Sequence, residues 1–234
     1  MEDYSKTSDH IRIENSFEEL ISTRFDGDIN ALCWRRELSG DFQEIIDHLQ
    51  AEEGITTIGD DDLRTLTLSP AGSVAREGLL ADQALLRGHG LAPILDYITG
   101  YPRDGAAGPI PTDVYSFHVD SATVQADTYL CTYIGNTSEG LSNETAVRRI
   151  EVAETRAQLL KIYGGPDDEG FATYLSTHCF DLHYSPLPGA RPYTFGLGNL
   201  WRIAIAYPDC PVLPCIHRAP LTLPGAPARL LLIS

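Results

Sequence analysis

The chain has 234 residues, 43% of them hydrophobic, enough to bury a substantial core in one large domain or two small ones. Seventeen basic against thirty-three acidic side chains give a net charge of −16, and only Lys6 and Lys161 are lysines, so a polyanionic nucleic acid or an anionic membrane surface is disfavoured as a partner. No apolar run approaches the roughly 18 to 20 residues of a spanning helix, and five scattered cysteines behind a start without basic and apolar leader regions read as reduced thiols in a cytoplasmic protein.

From about residue 41 to 99 the patterns are mainly helical. Phe42, Ile45, Ile46 and Leu49 recur at three- and four-residue spacing behind the candidate cap Ser39, and 75–86 repeats the theme until Gly88 and Gly90 interrupt it before a short apolar stretch at 91–98. The acid run Asp60-Asp61-Asp62 reads as a solvated turn ahead of a strand. Residues 101–109, rich in Gly, Pro and Ala, have the composition of a loop, either a boundary or a lid. After Pro111 the sequence turns to β-branched and aromatic runs, at 114–120, 123–134, 173–184, 200–206 and 229–233, while 151–163 fits a helix or a strand equally. The expectation is an α+β fold: a mainly helical part over 1–110 packing outside a β core over 111–234, the core being a barrel or a double-sheet jelly roll, with one compact domain overall.

The chemistry-bearing residues begin at Phe117-His118-Val119-Asp120. Residues i and i+2 of a strand share a face, so His118 and Asp120 present an imidazole and a carboxylate together while Val119 points away. A second histidine, His217, stands near the C-terminus in β-type sequence, and two His with one carboxylate form a facial set that leaves open positions on Fe(II). Arg229, twelve residues further on, opens the final run Arg229-Leu230-Leu231-Leu232-Ile233, and its guanidinium could grip a carboxylate through paired hydrogen bonds. Arg218, next to His217 on a strand, points the other way. Cys210 and Cys215 lack zinc-ligand spacing, and His178 and His183, five apart, face opposite sides of one strand if 173–184 is extended. No Walker loop, no Gly-x-Ser-x-Gly elbow and no His-Glu-x-x-His is present. The sequons Asn136-x-Ser138 and Asn143-x-Thr145 carry no meaning without secretion.

His118-x-Asp120, His217 and Arg229 together resemble the His-x-Asp, distant His, downstream Arg signature of the Fe(II)- and 2-oxoglutarate-dependent oxygenases, and Gly198-Asn199 resembles that family's Gly-Asp turn, with Asn where Asp is usual. The resemblance covers roughly residues 111–234. It implies a double-stranded β-helix in which His118, Asp120 and His217 are both metal ligands and the catalytic centre. It further implies Fe(II) as cofactor, 2-oxoglutarate as cosubstrate held by Arg229, and a hydroxyl from Tyr129 or Tyr133 assisting that arginine. The implied reaction is hydroxylation of a small molecule by O2 with release of succinate and CO2. The acidic net charge favours a cationic or zwitterionic substrate such as an amino acid. Two alternatives stand beside this reading: a cupin-like metal-dependent oxygenase or isomerase without 2-oxoglutarate, and a non-catalytic jelly-roll binding protein.

Overall fold

The computed structural model describes residues 9–49, 52–103, 105, 108–222 and 226–234. In chain order the elements are β1 (Ile11–Glu14), α1 (Phe17–Ser22), β2 (Ala31–Trp34), α2 (Phe42–His48), β3 (Ile55–Thr57), α3 (Asp60–Thr65), α4 (Pro70–Gly88), β4 (Ile94–Ile98) and β5 (Asp127–Ile134). There follow β6 (Glu139–Leu141), β7 (Ala146–Arg148), α5 (Ala153–Tyr163), α6 (Glu169–Thr177), β8 (Tyr184–Pro186), β9 (Tyr193–Thr194), β10 (Leu200–Ala204), β11 (Ile216–Arg218) and β12 (Arg229–Ile233).

The α+β class is as expected, but the two halves are interleaved. A seven-stranded sheet runs β1-β2-β10-β5-β12-β4-β3, antiparallel except for the β1/β2 pair, so β1 to β4 lie in the same sheet as strands from beyond residue 110. The mainly helical reading of 41–99 thus holds for α2 and α4 and misses β3 and β4. A second sheet, β11-β6-β9, is widened by backbone bridges from His118 to both His217 and His183. A ribbon of β7 and β8 completes the β structure among the described residues.

Strand alternation sorts the side chains into layers. On one face of the large sheet, Leu32, Leu95, Tyr129, Cys131, Tyr133, Leu230 and Leu232 are buried under Phe17 and Leu20 of α1, Phe42, Ile45 and Ile46 of α2, Leu63 of α3 and Leu79 and Leu86 of α4. On the other face, Ala31, Cys33, Ile98, Leu130, Ile203 and Leu231 meet Phe195 and Cys215, which flank β9 and β11 of the second sheet. The second sheet's far face buries Phe117, Val119, Leu141 and Ile216. The site lies between the two sheets.

Four of the six described α-helices start at side-chain caps, with Ser16, Asp41, Ser69 and Asp168 accepting from backbone N–H groups of their first turns. Three stretches differ from expectation. Residues 114–120 form no strand and join the second sheet only through the bridges at His118. The other two differ for local reasons. Asp60-Asp61-Asp62 is the first turn of α3, where carboxylates meet the positive end of the helix dipole, and Asp62 accepts from the Gly59 N–H at 2.8 Å. Residues 173–184 are mostly α6 and a following 3-10 turn rather than a strand, because Asp168 caps the segment and Phe171 and Leu175, four apart, bury one stripe. The ambiguous 151–163 stretch is α5, closed by Gly164 at φ 75°. No helix among the described residues is long and apolar enough to cross a membrane.

Candidate metal centre

His118 and His217 face each other as a hydrogen-bonded cross-strand pair, each N–H donating to the other's carbonyl at 2.9 Å. That pairing brings the rings to 4.6 Å between centroids. Asp120, two residues after His118, lies on the same face, while Val119 between them packs into the outer cluster. The donor atoms of His118, Asp120 and His217 lie within 4.8 Å of one another, the only such group among the described residues. His118 Nε2 is 3.9 Å from one Asp120 oxygen and His217 Nε2 is 3.7 Å from the other.

The rings are oriented for ligation. His118 Nδ1 lies 2.8 Å from the Ser116 carbonyl and His217 Nδ1 3.3 Å from the Cys215 carbonyl, so Nδ1–H is the natural donor in each and both Nε2 lone pairs turn toward Asp120. Thr128 Oγ1 donates to Asp120 Oδ2 at 2.6 Å and fixes the carboxylate. Burial and the neighbouring His217 ring push the His118 pKa down to about 4, keeping the imidazole neutral at neutral pH. Burial works to raise the Asp120 pKa, but the imidazoles and the Thr128 hydroxyl outweigh it and hold the carboxyl below its ordinary range. Two imidazoles and a carboxylate, at separations that close to cis ligand spacing of about 3 Å with shifts of about 1 Å, can hold a metal ion.

The same cavity, about 160 Å³, is lined by His118, Asp120, Thr128, His217 and Arg229. Arg229 is 4% exposed, and its guanidinium donates to Tyr101 Oη at 2.9 Å, Thr132 Oγ1 at 2.9 Å and Ser138 Oγ at 2.8 Å. No carboxylate pairs with it among the described residues, and its Nε–H has no acceptor. Its hydrogen-bond partners are all neutral hydroxyls, and the two carboxylates that line the same cavity, Asp96 and Asp120, make no ion pair with it. Gly135 permits the arrangement: at φ 86° it lets β5 pass so near that a Cβ there would come within 2.7 Å of the Ala228 carbonyl and 2.9 Å of Arg229 Cα.

Tyr129 and Tyr133 do share a face of β5, as expected, but it is the face under the helices. Thr128, Leu130 and Thr132 take the inward positions. Tyr133 stacks on Phe42 and donates to Asp82 Oδ2 at 2.6 Å, and Asp82 also binds Arg36. Tyr129 sits near Arg202 in the same helix-covered layer. The hydroxyls at Arg229 are therefore Tyr101, Thr132 and Ser138. Tyr101 belongs to the loop-like stretch 101–109, and Ser138 to a sequon within the polar stretch 135–145.

Arg218 points away from the cavity, as its parity predicts, pairing with Glu139 at 2.6 Å and covering the Phe117 ring. His178 ends α6 against Tyr174 and Phe180. His183 instead lies beside His118, with ring centroids 5.8 Å apart, a placement hidden while 173–184 is taken as one strand. No protein-family model, curated protein or solved structure matches the chain.

Proposed function

We propose that the protein is a non-haem Fe(II)- and 2-oxoglutarate-dependent oxygenase that hydroxylates a small molecule such as an amino acid. The observation that carries this reading is the buried Arg229, which forms no ion pair among the described residues, on the wall of the cavity that also holds the His118, Asp120 and His217 donors. A metal site alone suits many chemistries; a metal site facing such a buried guanidinium suits a ligand with an anionic group at each end. His118, Asp120 and His217 would hold the metal from one side, leaving adjacent positions open. Arg229, Tyr101, Thr132 and Ser138 would hold the distal carboxylate of 2-oxoglutarate, and the cavity's apolar wall of Ile98, Leu130 and Leu231 excludes water around it. Fe(II) in this site supplies the activation of O2 that couples decarboxylation of 2-oxoglutarate, to succinate and CO2, to hydroxylation of the substrate.

We read the two facing sheets as a double-stranded β-helix. The support is the way the chain alternates between them, β10 in the large sheet, β11 in the small and β12 in the large again, with the helices on the outer face. The cavity's size favours a small substrate, and the charge of −16 favours a cationic or zwitterionic one. The test is succinate formation from 2-oxoglutarate with Fe(II), ascorbate and air, screened against amino acids and related metabolites. Succinate above the level of an Asp120→Ala control, rising with one class of substrate, is expected. Absence of both metal-dependent 2-oxoglutarate binding and succinate formation would contradict the reading.

A further inference from the structure

A second cavity, about 300 Å³, shares no lining residue with the metal cavity. It opens beside the start of β1 and the end of β6, with Asp9, Asp28 and Glu144 on its exposed rim and His10 and Asn30 among its lining. Its polar equipment is one-sided: among the described residues it has three carboxylates and neither lysine nor arginine.

The buried lining residues carry the argument. Asn30 is 2% exposed, and its Nδ2 is committed, donating to Asn143 Oδ1 at 2.7 Å and the Leu213 carbonyl at 3.1 Å. Acceptors around Nδ2 fix the orientation of the amide, so Oδ1 is the remaining buried atom, and it has no donor. His10 is 7% exposed, and its Nε2 likewise has no partner. Burial lowers the His10 pKa against the opposing pull of Glu144 and Asp9, so the ring is neutral at neutral pH and Nε2 can accept. Unpaired buried acceptors cost free energy that a ligand with N–H groups would recover.

We propose that this cavity binds a small organic cation, a primary amine or guanidine, whose N–H groups satisfy Asn30 Oδ1 and His10 Nε2 while Asp9, Asp28 and Glu144 neutralise its charge. A bare metal ion fits poorly, since these groups do not converge within 4.8 Å as the His118 triad does. The pocket also touches the metal centre's framework: Asn30 and Asn143 hold the carbonyls of Leu213 and Pro214, just ahead of the strand that carries His217.

The test is calorimetric titration of the metal-free 234-residue chain with agmatine and 1,4-diaminobutane, using 1,4-butanediol as the neutral control. The expected result is saturable 1:1 binding of a cation and none of the diol. The doubly neutralised Asp28→Asn, Glu144→Gln variant, changed only at exposed rim positions, should bind at least tenfold more weakly. Binding should persist in His118→Ala, Asp120→Ala. The proposal is overturned by no cation binding at millimolar concentration, by equal affinity in the rim variant, by equal binding of the diol, or by loss of binding in the His118→Ala, Asp120→Ala variant, which would place the cation in the metal cavity.

Discussion

Replacing Arg229 and Arg36 separately with methionine separates a functional buried charge from a structural one. Both guanidiniums are largely shielded from solvent. Arg36 is matched by Asp82, bridged through both of its terminal nitrogens, with NH1 to Oδ1 at 2.6 Å. Arg36→Met strands that carboxylate inside the helix-covered layer, and breaking a buried pair in this way costs about 3–5 kcal/mol. Arg229 makes three hydrogen bonds to hydroxyls and forms no ion pair among the described residues. Those bonds, each worth about 1.5–3 kcal/mol to a charged donor, are opposed by a desolvation cost of several kcal/mol for the cation. The two nearly cancel, so Arg229→Met should change folding stability by less than about 2 kcal/mol. Its effect should appear in binding. Loss of a bidentate, charge-assisted grip on a carboxylate, about 3 kcal/mol, weakens 2-oxoglutarate by roughly 100-fold. Urea denaturation gives the stabilities, and titration of 2-oxoglutarate into the metal-loaded protein gives the affinities. A strongly destabilised Arg229→Met that binds 2-oxoglutarate like the wild type would refute the reasoning, since the arginine would then be a structural element with no anion to hold.

Three further outcomes follow from the same geometry. Tyr101→Phe and Thr132→Val should each weaken 2-oxoglutarate several-fold by loosening Arg229, whereas Tyr129→Phe should leave the affinity unchanged; the same titration reads all three. Tyr133→Phe should also spare the affinity but lower stability by about 1–2 kcal/mol, because it removes a buried hydrogen bond to Asp82, and denaturant midpoints report the loss. Acidification should destabilise the metal-free protein: native His118 stays neutral down to about pH 4, while an unfolded histidine takes its proton near 6.5. The unfolded chain therefore binds more protons in that window, and stability falls as pH drops from 6.5 toward 4, by roughly 3 kcal/mol from this residue. The slope should shrink in His118→Gln, and an unchanged slope would contradict the buried, neutral assignment.

The residues of the triad were legible because their placement depends on short-range rules. The i, i+2 parity of a strand puts His118 and Asp120 on one side, and the same rule turns Arg218 away from His217. Parity gives relative facing, not which side holds the cavity: Tyr129 and Tyr133 do share a face, but it is the one that the apolar stripes of α2 and α4 cover. Tyr101 and Ser138 were not legible, since each reaches Arg229 from outside the strands and only the fold brings them within 3 Å. Strands β3 and β4 were hidden by their short length among helices, and α6 by its Thr and Tyr content, which resembles a strand until the Asp168 cap and the Phe171/Leu175 stripe are weighed together. His118, Asp120, His217 and Arg229 line one cavity, His118 and His217 paired across a bridge, Asp120 two residues beyond His118 and Arg229 at the start of β12.

The most direct measurement is an anaerobic titration of the purified chain with Fe(II), followed by 2-oxoglutarate, monitored by visible absorption. One equivalent of iron and one of 2-oxoglutarate should together raise a charge-transfer band that neither produces alone, and His118→Ala and Asp120→Ala should abolish it. No band in the wild type, or an undiminished band in the Asp120→Ala protein, would contradict the assignment of this cavity.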